Sequence, residues 1–338
     1  MKTKIRRIFF ILMLVILILA LVTLTAGAIA KANLAKRYPA PGQLVDVGGY
    51  KMHINCTGQG SPTVILEAGA MEFSVNWAKV QPEVARFTRV CSYDRAGYGW
   101  SESSPHPRTA NAQVEELHTL LVNANVHGPY VLVGHSLGGL LVRVYAHNYP
   151  AEVVGMVLVD TTTEDQYIRL AAAVPKFMEV NKRNTEQGIG QFRIFAFMTS
   201  TGLIALAPQS VPDPGLPDDA LAQYRAALAT SKFFETGIAE ISGLEDSFTQ
   251  ARALHITSFG DTPLVVFSAG RWEPDPTNYS DAENQQLREV LRALQSELVA
   301  LSSDSKQIIA EQSGHHIEYD QPDLVIDAIR EMVAAIQN

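Results

Sequence analysis

The sequence predicts an α/β protein whose mainly parallel sheet is covered by helices on both faces, preceded by one apolar amino-terminal helix. Three observations carry this. From residue 63 onward, short continuous apolar runs alternate with amphipathic stretches, the pattern of buried parallel strands and their covering helices. One run, Val131-Leu132-Val133, passes straight into Gly134-His135-Ser136-Leu137-Gly138 and then into a helical pattern. Finally, residues 8–30 form a stretch of 23 positions without a charge.

That stretch is dominated by Ile, Leu, Val and Phe. At about 1.5 Å per residue it is long enough to cross a hydrocarbon core. Lys2, Lys4, Arg6 and Arg7 precede it, while Lys31, Lys36 and Arg37 follow. The bias places the amino terminus inside and the rest of the chain outside. We expect a cell-membrane protein, single-pass, with its catalytic domain outside and residues 8–30 in the lipid bilayer. The competing reading is a secreted protein cut near Ala30, since Ala28-Ile29-Ala30 has the small-x-small pattern of a cleavage site. The uncharged run exceeds the roughly 7–15 residues of most signal sequences, which favours the anchor.

Beyond this segment the composition is that of a folded domain: 47% apolar and 18% charged. The net charge of −8 is uneven. Residues 1–37 carry seven cations and no acid, which leaves 20 basic against 35 acidic groups, a net −15, on the remainder. Such a body repels polyanions and excludes nucleic acid as a natural partner. Cys56 and Cys91 are too few for a disulfide scaffold and lack metal spacing; both read as small core residues.

In chain order, residues 38–42 read as a short linker. Residues 43–47 and 50–56 alternate around Gly48-Gly49 as a hairpin. Strands follow at 63–67, 89–93, 131–133, 153–160, 263–269 and 307–311, with helices expected at 75–86, 110–125, 140–149, 281–301 and 322–336. Residues 161–258 break the alternation. This helix-rich insertion far exceeds the usual connection of about 4–6 residues, and its position after a strand suits a lid over the site. The expected organisation is an anchor at 1–37, a core of 38–160 and 259–338, and a helical cap at 161–258.

A serine between strand and helix sits on a sharp turn that exposes its hydroxyl, and the following helix aims N–H groups at the same place. With Leu66-Glu67-Ala68-Gly69-Ala70, residues 94–101 and Ser313-Gly314-His315, in that order, the chain resembles the α/β-hydrolase superfamily over residues 43–160 and 260–338. The resemblance implies an acyl-transfer hydrolase with a Ser–acid–His triad and no metal or cofactor. It places the nucleophile at Ser136 and the general base at His315, preferred over its neighbour His316. The acid is Asp160, which ends an apolar strand and needs a partner there, or Glu273, at the position more usual in the family, with Asp275 as a third candidate. Oxyanion donors are expected from the N–H of Leu137 and from Ala70 or Met71. Asp94 and Arg95 are expected to form an ion pair.

The expected function is cleavage of an ester, thioester or amide. The apolar cap residues Phe192, Phe195, Phe197, Met198, Leu203 and Phe233 suggest a small hydrophobic substrate with an apolar acyl or aryl part. The alternatives are a cofactor-free haloperoxidase or perhydrolase, and a catalytically silent binding protein of the same fold. Dehalogenase and epoxide hydrolase chemistry needs Asp where Ser136 stands. Nothing in the sequence fixes an oligomeric state.

Overall fold

A computed structural model describes residues 2–229 and 231–338. Helix α1 (Lys2–Arg37) is a single 36-residue rod, long and apolar enough to cross a membrane. Its carboxyl-terminal third does not stand alone. Gly27 is buried against the backbone of Thr201 and Gly202, and Ala30 and Leu34 pack on the helical insertion.

The hairpin β1 (Gln43–Asp46) and β2 (Lys51–Thr57) follows. Then come β3 (Thr63–Glu67), the short helix α2 (Gln81–Val84), β4 (Val90–Tyr93), α3 (Ala110–Asn123), β5 (Tyr130–His135), α4 (Leu137–Asn148) and β6 (Val153–Val159). The long helix expected at 75–86 is broken into a 3-10 turn, Ser74–Trp77, and α2, with Pro82 in the first turn of α2. The insertion holds α5 (Gln166–Ala173), α6 (Phe177–Ser200), α7 (Leu203–Leu206), α8 (Asp218–Leu228), α9 (Ser231–Ser242) and α10 (Leu244–Ala253). The chain returns through β7 (Leu264–Ala269), α11 (Asp281–Leu298), β8 (Ser305–Ala310), α12 (Ile317–Asp320) and α13 (Pro322–Gln337).

The eight strands lie in the order β1-β2-β4-β3-β5-β6-β7-β8. Strands β3 to β8 pair in parallel; β1 and β2 are antiparallel. One face carries α3 and α4, with Leu117, Leu121, Leu140 and Val144 buried on Ile65, Leu132 and Leu158. The other carries α13, whose Val325, Ile329 and Val333 bury against Val64, Val131 and Val157. Burying each such side chain is worth about 1.5–3 kcal/mol, so both helical layers hold the central strands from both sides. This makes β5 buried along its whole length and gives Ser136, one step beyond its end, a rigid support.

Two expectations are corrected here. Cys56 and Cys91 are not free core thiols: the antiparallel register of β2 and β4 sets them opposite one another, and they form a disulfide. Asp94 and Arg95 do not pair with each other. As neighbours in an extended segment their side chains diverge, and Asp94 meets His53 at 2.9 Å while Arg95 meets Glu67 at 2.8 Å and Glu240 at 2.9 Å.

Candidate active site

Ser136 occupies a backbone conformation at φ 50° and ψ −119° that side-chain-bearing residues rarely adopt. Its surroundings hold it there. The Ser136 N–H donates to the Val159 carbonyl, and its own carbonyl accepts from Thr162 N, Gly139 N and Thr161 Oγ1 at 2.9–3.0 Å. The two flanking glycines are steric requirements. A Cβ at Gly134 would lie 2.5 Å from the Gly138 carbonyl oxygen, and one at Gly138 would lie 2.5 Å from that of Glu67.

His315 sits on the turn after β8, in the cavity that Ser136 lines. Its Nδ1 donates to Asp160 Oδ2 at 2.6 Å, and Asp160 Oδ1 accepts from Ala269 N at 3.0 Å. Asp160 is itself at φ 41°, a turn that ends β6 and aims the carboxylate across the strand ends. Glu273 lines the same cavity but is exposed and makes no ion pair with His315 among the described residues. Asp275 is occupied with its own turn, accepting from Thr277 N and Asn278 N. His316 points elsewhere, with Nδ1 at 3.1 Å from Glu318 and 3.2 Å from Glu72.

Of the expected oxyanion donors, Leu137 heads α4, where first-turn N–H groups have no intrahelical partner. Met71 is excluded because its N–H donates to Glu240 Oε2 at 2.8 Å. Ala70 remains, and its orientation has a visible cause. The carbonyls of Ala68 and Gly69 accept from Arg95 at 2.7 and 2.6 Å. In a trans peptide C=O and N–H point opposite ways, so the hydrogen bond at Gly69 turns the Ala70 N–H away from Arg95. Arg95 is in turn fixed between Glu67 on β3 and Glu240 on α9, and Tyr98 also donates to Glu240. Sequence reading gave no role to Glu240, which reaches this turn from about 170 residues away.

Also unforeseen is a cluster directly behind His315. His135 Nε2 donates to the His315 carbonyl at 3.0 Å, while its Nδ1 faces Glu72 at 3.0 Å and Glu318 at 3.7 Å. Burial opposes the cationic form of His135, but the Glu318 and Glu72 carboxylates outweigh it and push its pKa up to about 9. At His316, hydrogen bonds to Glu318 and Glu72 raise the pKa to about 10. Burial alone would raise Glu72; the two imidazoles instead hold it below the usual carboxylate range.

The cavity itself has a volume of about 370 Å³, a normal size for a small-molecule site. Besides Ser136, Asp160 and His315 it is lined by Trp272, Leu291, Gln166, Gln295 and three guanidiniums, Arg271, Arg288 and Arg292. None of the six apolar cap residues expected to meet the substrate lines it. Phe233 is buried against Phe73 and Tyr98, Phe192 and Met198 pack around that cluster, and Phe195, Phe197 and Leu203 face outward.

A serine on a strained strand-to-helix turn, a carboxylate-bound histidine at the ends of a mainly parallel sheet and a helical insertion between β6 and β7 are features of the α/β-hydrolase fold. Residues 62–203 match the family described as alpha/beta hydrolase fold, and the chain has that fold. It is 27% identical over 307 residues to a probable transporter, efuK, of Hormonema carpetanum, covering 86% of this chain but only 42% of that protein. It is 27% identical over 300 residues to an AB hydrolase superfamily protein of Gibberella zeae, covering 82% of this chain and 87% of that one. Among solved structures, the epoxide hydrolase CorEH superposes with a TM-score of 0.63 at 16% identity, covering 87% of this chain and 98% of that one. At that identity the likeness concerns the fold.

Proposed function

We propose that this protein is a membrane-anchored, exported serine hydrolase that cleaves an ester, thioester or amide through an acyl-enzyme. One observation carries the reading: Ser136, on its strained elbow, shares a single cavity with a His315 whose Nδ1 is held 2.6 Å from Asp160. A hydroxyl attacks a carbonyl only when a base takes its proton. A carboxylate on Nδ1 fixes the imidazole tautomer that leaves Nε2 free to do so. The developing oxyanion is met by Leu137 N at the head of α4 and by Ala70 N on the braced turn. The acyl-enzyme then forms with loss of the alcohol, thiol or amine, which takes the proton from His315. Water, deprotonated by the same imidazole, releases the acid.

The lining of the cavity refines the substrate. Trp272 and Leu291 offer an apolar wall, and three guanidiniums stand against the single unpaired carboxylate of Glu273. A substrate with a short apolar part and a terminal anionic group fits this lining better than a purely apolar one. The disulfide between Cys56 and Cys91 favours an oxidising compartment, in keeping with export behind α1.

The reading is tested by comparing neutral thioesters with matched thioesters bearing a terminal carboxylate. The carboxylates should have the higher kcat/KM, and Arg288→Gln should erase the preference mainly through KM. Turnover of neither series, with or without peroxide, would remove the serine hydrolase assignment.

A further inference from the structure

The four side chains behind His315 have the composition and arrangement of a metal site. We propose that Glu72, His135, His316 and Glu318 bind one divalent transition-metal ion of the zinc type, and that this ion fastens the three loops of the active site together.

The donor set is two imidazoles and two carboxylates, which suits zinc and its neighbours. One donor atom from each residue lies within 4.8 Å of all the others. The four imidazole-to-carboxylate separations are 3.0, 3.7, 3.2 and 3.1 Å. Ligands at about 2.0–2.1 Å from a tetrahedral zinc stand about 3.3–3.4 Å apart. The imidazole-to-carboxylate separations straddle that value, with Glu72 offering Oε2 to His135 and Oε1 to His316, so binding requires side-chain shifts that bring one atom of each residue to the ion.

Three further features belong to a metal site more than to an ordinary ion-pair network. First, His135 Nε2 donates to a backbone carbonyl, the contact that orients a ligating histidine, so that Nδ1, facing Glu72 and Glu318, is the atom that would take the ion in exchange for its proton. Glu72 is likewise held, by Gly69 N at 2.7 Å. Second, Glu318 is 1% exposed, with Oε1 facing both imidazoles and Oε2 without a hydrogen-bond partner, a large cost for a buried carboxylate that a cation bound to the group would offset. Third, there is a route in: His316 is half-exposed, its ring stacked on Tyr319.

The ligands come from separate parts of the site. Glu72 follows the oxyanion turn, His135 immediately precedes Ser136, and His316 and Glu318 follow His315. An ion shared among them would hold donor, nucleophile and base segments in register without touching the reacting atoms.

The experiment uses the full chain in detergent, stripped with a chelator and titrated with Zn²⁺ by calorimetry and with Co²⁺ by visible absorption. We expect one equivalent of each, the strong absorption of tetrahedral cobalt, and a rise in Tm on adding zinc. Ser136→Ala and His315→Ala should bind the ion like the parent. Glu318→Gln should weaken binding by more than about 100-fold, beyond the usual cost of losing an outer-shell partner. His316→Gln, at a half-exposed position, should do the same, with a thermal melt to show that the variant folds. Absence of saturable binding by the parent overturns the proposal. So does binding that survives both ligand substitutions, or that disappears in His315→Ala.

Discussion

The identity of the acid can be decided by two substitutions with opposite expected outcomes. In Asp160→Asn the amide oxygen can still accept from Ala269 N at 3.0 Å, so the side chain keeps its place. Its amide nitrogen then faces His315 Nδ1 at the 2.6 Å contact now made by Oδ2. Two donors cannot share that contact. Nδ1 must become the acceptor, which moves the ring proton to Nε2, the atom that has to receive the proton of Ser136. In a well-dissected serine protease the same change of tautomer costs about 10⁴-fold in kcat, about 5.4 kcal/mol of barrier, and we expect a loss approaching that here. Glu273 is exposed and unpaired, so Glu273→Gln should stay within about tenfold of the parent, or about 1.4 kcal/mol. The assay is steady-state hydrolysis of the best thioester, with thermal melts to show that both variants fold. Abolished turnover in Glu273→Gln beside near-parental Asp160→Asn would refute the reasoning and move the acid to the loop after β7.

Other consequences are equally open to measurement. Arg95→Lys keeps a buried cation between Glu67 and Glu240 but loses the planar fork that grips the Ala68 and Gly69 carbonyls; turnover should drop by about 10²–10³, the cost of one oxyanion donor, with KM nearly unchanged. At Gly27 a Cβ would lie 2.5 Å from the Thr201 carbonyl oxygen, whereas nothing stands within 4 Å at Gly188. Gly27→Leu should therefore destabilise the α1–cap contact by about 1–3 kcal/mol, and Gly188→Leu should be near neutral in the same melts. Burial disfavours charged His53, but Asp94 prevails and raises its pKa above the ordinary 6.5, while His53 in turn outweighs burial at Asp94 and lowers the carboxylate. Stability from His53 is thus fully present below pH 6.5 and lost as pH rises through its folded pKa; the Asp94 part is lost as pH falls through its own. In denaturant titrations across pH, His53→Gln should flatten the alkaline side.

The site was legible where chemistry and chain geometry coincide locally. Ser136 stands out because strand, turn glycines and helix are contiguous; the acid stayed open between Asp160, Glu273 and Asp275, because a charge ending so apolar a strand requires a partner but the sequence does not say which. Long-range pairings left no comparable trace. Cys56 and Cys91 meet only through the antiparallel register of β2 and β4, and register cannot be read from two isolated runs. The Arg95 brace joins β3 to α9, and the cluster behind His315 joins segments more than 60 residues apart. The apolar cap residues lie away from the cavity for a different reason: helix faces must bury against something, and Phe233 satisfies that need on Phe73 and Tyr98. The fold was plainer than the site's supports, since alternation repeats along the whole chain while each support is a single contact.

The most direct test of the central claim is covalent. The full chain is treated with a fluorophosphonate, which phosphonylates a serine only where a base and an oxyanion site activate it, and the digest is read by mass spectrometry. The account predicts one adduct, on Ser136, absent from Ser136→Ala and strongly slowed in Asp160→Asn. No adduct on a folded protein, or an adduct on another residue that persists in Ser136→Ala, would contradict it.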